Sequence, residues 1–161
     1  MKNKKKTYKW IIWSFVAAFL GMIGLVIFIL IYAAGYQDSL RAYKRSVENL
    51  EEVNQVLEFS EYAGLETYFV AIVERIDDEQ YVYFVNDGIV AYQFPVDDLI
   101  TIETARGVAV DATESQRIIG TQLGIYEETP IYEVRIKTPE GMDYVFVDAM
   151  TRDIMLHFTL D

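Results

Sequence analysis

The feature that most constrains this chain is a run of 26 uncharged residues, 10–35, close to its N-terminus. An α-helix rises about 1.5 Å per residue, so roughly 20 apolar residues cross a hydrocarbon core about 30 Å thick. The run therefore predicts a transmembrane helix over 10–35, long enough to span a bilayer with some tilt. Aromatic residues that favour the headgroup layer lie near its two ends: Trp10, Trp13, Tyr32 and Tyr36.

Residues 1–9 are basic and contain no acid; they include Lys2, Lys4, Lys5, Lys6 and Lys9. By the positive-inside rule they predict a cytoplasmic tail, which places the C-terminal part outside the cell. The competing interpretation is a cleaved signal peptide, whose apolar region would run about 7–15 residues. The longer run here, with only a poor cleavage site at residues 33–35, favours an uncleaved anchor. The chain has no cysteine, which excludes a lipoprotein anchor, disulfides and thiolate metal sites.

Charge is divided unevenly along the chain. Of its 14 lysines and arginines, five lie in residues 1–9, so nine cations face all 25 acids and give −16 from residue 10 onward. So acidic a domain is repelled by nucleic acid and by anionic headgroups. The charge predicts solubility first, and a basic protein partner or bound cations second.

The predicted outer region begins with a helix over 36–57. Its apolar residues recur at spacings of three and four: Leu40, Tyr43, Val47, Leu50, Val53 and Leu57. This stripe predicts packing against the sheet of its own domain. A heptad-type seam between two copies, and hence a homodimer, is the less favoured alternative because the stripe is short.

The remaining patterns alternate strands with turn residues. Strands are predicted over 65–76, 81–85, 89–94, 115–126, 132–136, 142–149 and 154–160, with a second helix over 101–112 capped by Thr101. Residues 81–84 align with residues 144–147 at an offset of 63, which suggests two similar halves. The predicted fold class is α+β: an N-terminal transmembrane helix, then two helix-plus-antiparallel-sheet modules at 36–98 and 99–161.

No residue pattern predicts catalysis, a cofactor or a metal. His157 is the only histidine and is interpreted as a sheet residue, since a triad or ligand set needs partners. A serine–lysine pair would have to come from Ser39, Ser46, Ser60 or Ser115 with Lys44 or Lys137. No nucleophile elbow surrounds these serines. The paired acids at 51–52, 77–78, 97–98 and 127–128 are interpreted as solvated surface residues, the first pair on a helix and the rest in turns.

Residues 132–135 followed by 144–154 resemble the second half of a PepSY module, which has a cystatin-like helix and antiparallel sheet. Residues 66–70 and 81–84 resemble a divergent first copy. A basic tail, one anchor helix and two such modules resemble the layout of TseB-like regulators of cell-wall elongation. One departure is Arg152, where the module has glycine; Asp148 matches the module's aspartate and is expected to bond the amides of the following turn.

This resemblance implies a protein that is not an enzyme and that acts as a single-pass membrane accessory factor in Gram-positive bacteria. Its implied partner is a class B penicillin-binding transpeptidase of peptidoglycan elongation, with no nucleic acid involved. PepSY modules also occur in protease propeptides, so the alternative is a membrane-tethered inhibitor or chaperone of an extracellular hydrolase. A serine–lysine hydrolase is a third and weaker hypothesis.

Overall fold

The structure is a computed structural model that describes residues 4–160, without the side chains of residues 4–9, 11, 12, 34 and 36. The first residues of the predicted basic tail and its lysine side chains therefore lie outside the described part, as does the ring of Tyr36. The chain divides into two compact units, residues 1–42 and residues 43–161. The boundary predicted between residues 98 and 99 falls inside the second unit and stays a prediction.

Helix α1 runs over Lys4–Glu48 and contains the whole predicted transmembrane segment. In the part of the chain described here, its segment Trp13–Glu48 is the one helix long and apolar enough to cross a membrane. Large apolar side chains along it are exposed, for example Phe28 at 66% and Ile31 at 68%. A helix with apolar side chains turned outward fits a membrane anchor or a signal sequence and does not fit the core of a water-soluble domain.

Two antiparallel four-stranded sheets follow, each with its strands in sequence order. The first sheet contains β1 (Val53–Ala63), β2 (Thr67–Arg75), β3 (Gln80–Asn86) and β4 (Ile89–Pro95). A short 3-10 helix (Val96–Asp98) and helix α2 (Ile102–Thr113) connect it to the second sheet. The second sheet contains β5 (Ile118–Tyr126), β6 (Thr129–Lys137), β7 (Met142–Asp148) and β8 (Ile154–Leu160). The mixed α+β class is confirmed.

Local chemistry explains where several elements begin and turn. Asp87 and Gly88 both have positive φ, at 49° and 79°, and form the tight hairpin turn between β3 and β4. Thr101 caps α2 as predicted, because its side chain accepts a hydrogen bond from the Thr104 amide at 3.2 Å. Arg152 adopts φ 76° at the turn where a glycine would fit more easily.

Three apolar clusters order the layers of the second unit. The end of α1 packs on the outer face of the first sheet, where Val47 meets Tyr83 and Val85. Helix α2 packs on the outer face of the second sheet through Ala105 and Ala109. The inner faces of the two sheets share the third cluster, whose buried members are Tyr62, Tyr68, Val70, Val82, Phe84, Ile125, Ile131 and Phe146.

The prediction of one helix over 36–57 is wrong at its C-terminal end. The helix stops at Glu48, and β1 occupies Val53–Ala63. Tyr43, Val47 and Leu50 do pack on the first sheet as predicted. Val53 belongs to β1, whose pairing with β2 is shifted between Val53 and Gln55 and again between Val56 and Glu58. These irregularities disturb strict alternation, which is why the apolar spacing resembled a helix.

The alignment of the two halves at an offset of 63 is wrong by one residue in the third strand. Strands β3 and β7 begin at Gln80 and Met142, which are 62 positions apart. Phe84 and Phe146 both face the other sheet, whereas Val147, the partner of Phe84 in the predicted alignment, faces α2. Between the last paired residues, the preceding hairpin has five residues (75–79) in the first sheet and four (138–141) in the second. A one-residue shift moves every side chain to the opposite face.

Candidate functional site: the groove between the sheets

Strand β6 places two charged side chains between the two sheets. Val134 and Ile136 pack toward α2 on one face of the strand. Glu133 and Arg135 occupy the other face, where Arg135 pairs across to Tyr144 and Glu133 to Phe146. That face is turned toward the first sheet, and only 13% of the Glu133 side chain is exposed. The second face of β6 is therefore partly covered by the first sheet.

Tyr62 of β1 locks the first sheet onto the second. It is 2% exposed, and its ring occupies the space where a Cβ on Gly124 would stand. Its hydroxyl donates a hydrogen bond to Glu133, and burial together with the Glu133 charge raises the pKa of Tyr62 well above its usual value. On the same edge, the Gln122 side-chain amide donates to the Glu61 carbonyl. These contacts set the position of β5 beside β1.

Among the described residues, none accepts a hydrogen bond from Arg135 Nε. That atom is buried and lies 3.8 Å from Glu133 Oε1, which is too long for a hydrogen bond. The guanidinium passes over Gly120, where a Cβ would come within 2.9 Å of one of its terminal nitrogens. About 40% of the Arg135 side chain remains exposed. Glycine at 120 thus makes room for a cation that is tethered at one carboxylate and open to solvent.

A groove of about 610 Å³ lies beside this guanidinium. It is lined from both sheets and from the start of α2 by Glu58, Ser60, Val70, Ile72, Thr101, Ile102, Glu103, Gly120, Thr121, Gln122, Leu123, Tyr132 and Arg135. Its size falls within the range of small-molecule sites. The lining combines an apolar floor with a few polar groups.

Two carboxylates, Glu58 and Glu103, line the same groove as Arg135. Burial first, then the charges of Glu103 and Glu58, raise the pKa of the Tyr132 hydroxyl. Both carboxylates therefore act on one hydroxyl, although one comes from β1 and the other from α2. The Tyr132 hydroxyl donates to the Ile100 carbonyl at 3.1 Å, which fixes the ring. The groove consequently carries two carboxylates and one guanidinium.

The residues considered for catalysis from the sequence are not brought together in this groove. His157 Nε2 lies 3.1 Å from Asp143 Oδ2 in the second sheet. The hydroxyls of Ser39, Ser46 and Ser115 donate to backbone carbonyls. Ser60 alone among the four serines lines the groove. Within residues 4–160, no group of three or more His, Asp and Glu side chains is arranged to hold a metal.

The acids singled out from the sequence lie mainly in turns. Asp77 accepts a hydrogen bond from the Glu79 amide at 3.2 Å, and residues 127 and 128 both have positive φ. The pair at 51–52 lies in a turn after α1 and not on the helix surface as predicted. Asp148 accepts from the Met150 and Thr151 amides at 2.7 and 3.0 Å, so its predicted structural role is confirmed.

Arg135, Glu58 and Glu103 were missed as site residues from the sequence. A charge on a strand is usually solvated, and the alternation of β6 gave no sign that both faces are covered. The one available signal was the glycine at 120 within a strand, because strand glycines often mark a close approach of another group.

Comparison with solved structures identifies the fold. The YpmB protein from Bacillus subtilis is similar at a TM-score of 0.63 and 16% identity, over 76% of this chain and 96% of that one. A putative lipoprotein from Clostridium difficile 630 has a TM-score of 0.41 and 16% identity, over 78% of this chain and 92% of that one. No protein-family model and no curated protein matches the chain. At this identity, the similarity to YpmB concerns the fold alone.

Proposed function

We propose that this protein is a non-enzymatic, membrane-anchored accessory factor that regulates cell-wall elongation by binding a class B penicillin-binding transpeptidase. Its basic tail is cytoplasmic and its acidic unit, residues 43–161, lies outside the cell. The observation that carries the proposal is the order of parts: one apolar helix whose last turns pack into a body of two facing sheets. The resemblance to TseB-like regulators rests on the same order of parts.

A further observation supports an interaction protein. The edge strand β8 exposes Ile154, Phe158 and Leu160 at 42%, 36% and 51% and contains no lysine, proline or acid. Edge strands are usually protected by such residues because an open edge can pair with another chain. An unprotected edge gives a partner a place to add a strand.

Photocrosslinking in living cells tests the partner. A photoreactive residue is placed at Phe158 on β8 or at Asp111 on α2, and captured proteins are identified by mass spectrometry. The expected result is capture of a class B transpeptidase from at least one position. The matched control carries the same residue at position 20 in the apolar helix and should not capture it. Capture of a secreted protease from both outer positions would contradict the transpeptidase and support the tethered-inhibitor alternative.

The orientation is tested separately with cysteine labelling. Since the chain has no cysteine, Asp97→Cys and Lys2→Cys each introduce a unique thiol. A membrane-impermeant maleimide should label position 97 in intact cells and position 2 only after lysis. The opposite pattern would place the acidic unit in the cytosol. Release of residues 36–161 into the medium would show instead that the apolar segment is a cleaved signal.

A further inference from the structure

The charge on the inner face of β6 calls for a partner. Although about 40% of the Arg135 side chain is exposed, its Nε is buried, and a buried donor without a hydrogen bond is costly. Arg135 has Glu133 at 3.8 Å from a buried Nε that makes no hydrogen bond within the described residues. Glu133 already accepts the hydrogen bond from Tyr62. The guanidinium is therefore a donor group with unused capacity at the edge of a groove.

The other residues that line the groove restrict the charge of a ligand that could bind Arg135. A simple anion would meet Arg135 but would also face Glu58 and Glu103. A simple cation would meet the two carboxylates and leave the guanidinium unsatisfied. Only a ligand with charges of both signs satisfies all three groups at once. The apolar side chains of Val70 and Ile72 line the same groove and would cover a short hydrocarbon or backbone segment.

The start of α2 does not need an anion. Thr101 already caps the Thr104 amide, and Glu103 in the first turn supplies negative charge at this end of the helix. Arg106 donates from Nε to Thr121 Oγ1 at 3.0 Å, so this nearby cation is already engaged. A ligand carboxylate is thus directed to Arg135 and away from the helix terminus.

We propose that the groove binds a short zwitterionic peptide, with its free carboxylate on the Arg135 guanidinium and its ammonium groups against Glu58 and Glu103. A guanidinium can pair with a carboxylate through two parallel hydrogen bonds, which a lysine cannot do. With two carboxylates and one guanidinium, the groove favours a peptide carrying two ammonium groups and one carboxylate. A volume of about 610 Å³ accommodates a few residues. This assignment does not depend on the transpeptidase partner.

Titration of the full chain in detergent micelles tests the ligand class. The probe is the tripeptide Lys-Ala-Ala, which carries two ammonium groups and one carboxylate; binding is followed by saturation-transfer NMR and by isothermal titration calorimetry. Binding at millimolar or lower concentration is expected. C-terminal amidation of the same peptide should weaken binding about tenfold or more, because a charge-assisted hydrogen-bonded pair is lost. N-acetyl-Ala-Ala, which lacks ammonium groups, should bind more weakly than Lys-Ala-Ala.

Two variants assign the effect to Arg135. Arg135→Gln should weaken Lys-Ala-Ala about tenfold or more and remove the difference between the free and amidated peptides. Gly120→Ala keeps the charge but places a Cβ within 2.9 Å of the guanidinium, so it should displace that group and weaken binding as well. Arg117→Gln is the matched control, since it removes the same charge from an exposed arginine outside the groove. Circular dichroism confirms that each variant is folded.

Several outcomes would overturn the proposal. Absence of binding by Lys-Ala-Ala at millimolar concentration would do so, as would equal binding of the free and amidated peptides. Displacement of the peptide by equimolar inorganic phosphate would assign the groove to simple anions. If Arg135→Gln and Arg117→Gln weaken binding equally, the effect comes from overall charge and not from this groove.

Discussion

Strands β2 and β6 hold the same place in their sheets, second of four, yet their inner faces differ. The inner face of β2 is apolar and carries Tyr68, Val70 and Ile72. The inner face of β6 carries Ile131, Glu133 and Arg135. The inner face of β2 therefore contributes three residues to the apolar cluster between the sheets, whereas the inner face of β6 contributes one apolar residue and two charged ones. Where one copy of a motif breaks the inside-apolar rule and the other keeps it, the break is a candidate for function.

The two sheets also treat their arginines differently. Arg75 at the end of β2 donates from Nε to the Tyr83 hydroxyl at 2.8 Å and from a terminal nitrogen to Gln93 at 2.7 Å. Its guanidinium lies 3.7 Å from the centre of the Tyr81 ring. Arg135 has none of these hydrogen bonds at Nε. Arg75 thus donates hydrogen bonds within its own sheet, whereas Arg135 Nε has no acceptor among the described residues.

The largest expected effect comes from breaking the contact that joins the inner faces. Tyr62→Ala should lower the free energy of unfolding by about 3–5 kcal/mol, because it empties a buried aromatic site. Tyr62→Phe, which keeps the ring but loses the hydrogen bond to Glu133, should cost about 1–2 kcal/mol. Urea unfolding of the full chain in micelles, followed by the near-ultraviolet circular dichroism of tyrosine, measures both. Equal losses would show that the ring does not fill this site.

A pair of matched substitutions separates the two arginines. Arg75→Met should cost about 1.5–3 kcal/mol, because charged hydrogen bonds to Tyr83 and Gln93 are lost. Arg135→Met should change stability by less than about 1 kcal/mol, because the pair is long at 3.8 Å, about 40% of the Arg135 side chain is exposed, and Glu133 keeps its hydrogen bond from Tyr62. The same urea experiment compares them. If Arg135→Met lowers the free energy of unfolding more than Arg75→Met does, Arg135 has a structural role and is not free to bind a ligand.

Acid should weaken the second sheet through Asp143. Burial by itself would raise the pKa of this carboxyl, but hydrogen bonds from Thr159, His157 and Thr138 and the His157 charge outweigh it and lower the pKa below 3.8. Because the folded pKa is lowered, the stabilisation is present above the unfolded pKa of the carboxyl and is lost as pH falls through the folded pKa. Asp143→Asn should cost about 1.5 kcal/mol at pH 7.

Unfolding measured from pH 7 to pH 3 checks this prediction. The wild-type chain should lose more stability over that range than Asp143→Asn, so the difference between them should shrink as pH falls. A difference that stays constant would show that the Asp143 charge does not stabilise the fold. Hydrogen exchange should place the loss in β7 and β8, with the first sheet unaffected.

The smallest expected effects lie in two turns with positive φ. Arg152→Gly should stabilise the chain by about 0.5–1 kcal/mol, because a non-glycine residue is strained at φ 76°. Gly88→Ala in the first sheet should have the opposite sign and a cost of about 1 kcal/mol, since its φ is 79° and no neighbour lies within 4 Å. Urea unfolding resolves the signs. A destabilising Arg152→Gly would mean that the arginine side chain contributes contacts of its own.

Much of the fold could be predicted from residue order. Turns containing glycine, proline and acidic residues separated the predicted strands, and the predicted bounds agree with the structure to within a few residues. Thr101 predicted the start of α2. The β1 strand could not be predicted, because its two irregularities turned a strand pattern into helical spacing. The candidate site could not be predicted for another reason. Glu58, Glu103 and Arg135 are far apart in the chain and line one groove only in the folded structure.

By itself the sequence determined the apolar helix at 10–35, the two runs of antiparallel strands and the confinement of apolar residues to alternate positions. These follow from local chemistry, since helix length, turn residues and strand period are properties of short segments. Only the tertiary structure decided that the polar face of β6 is covered by another sheet. Alternation of apolar and polar residues shows that a strand has two different faces. What lies against each face depends on residues distant in the chain.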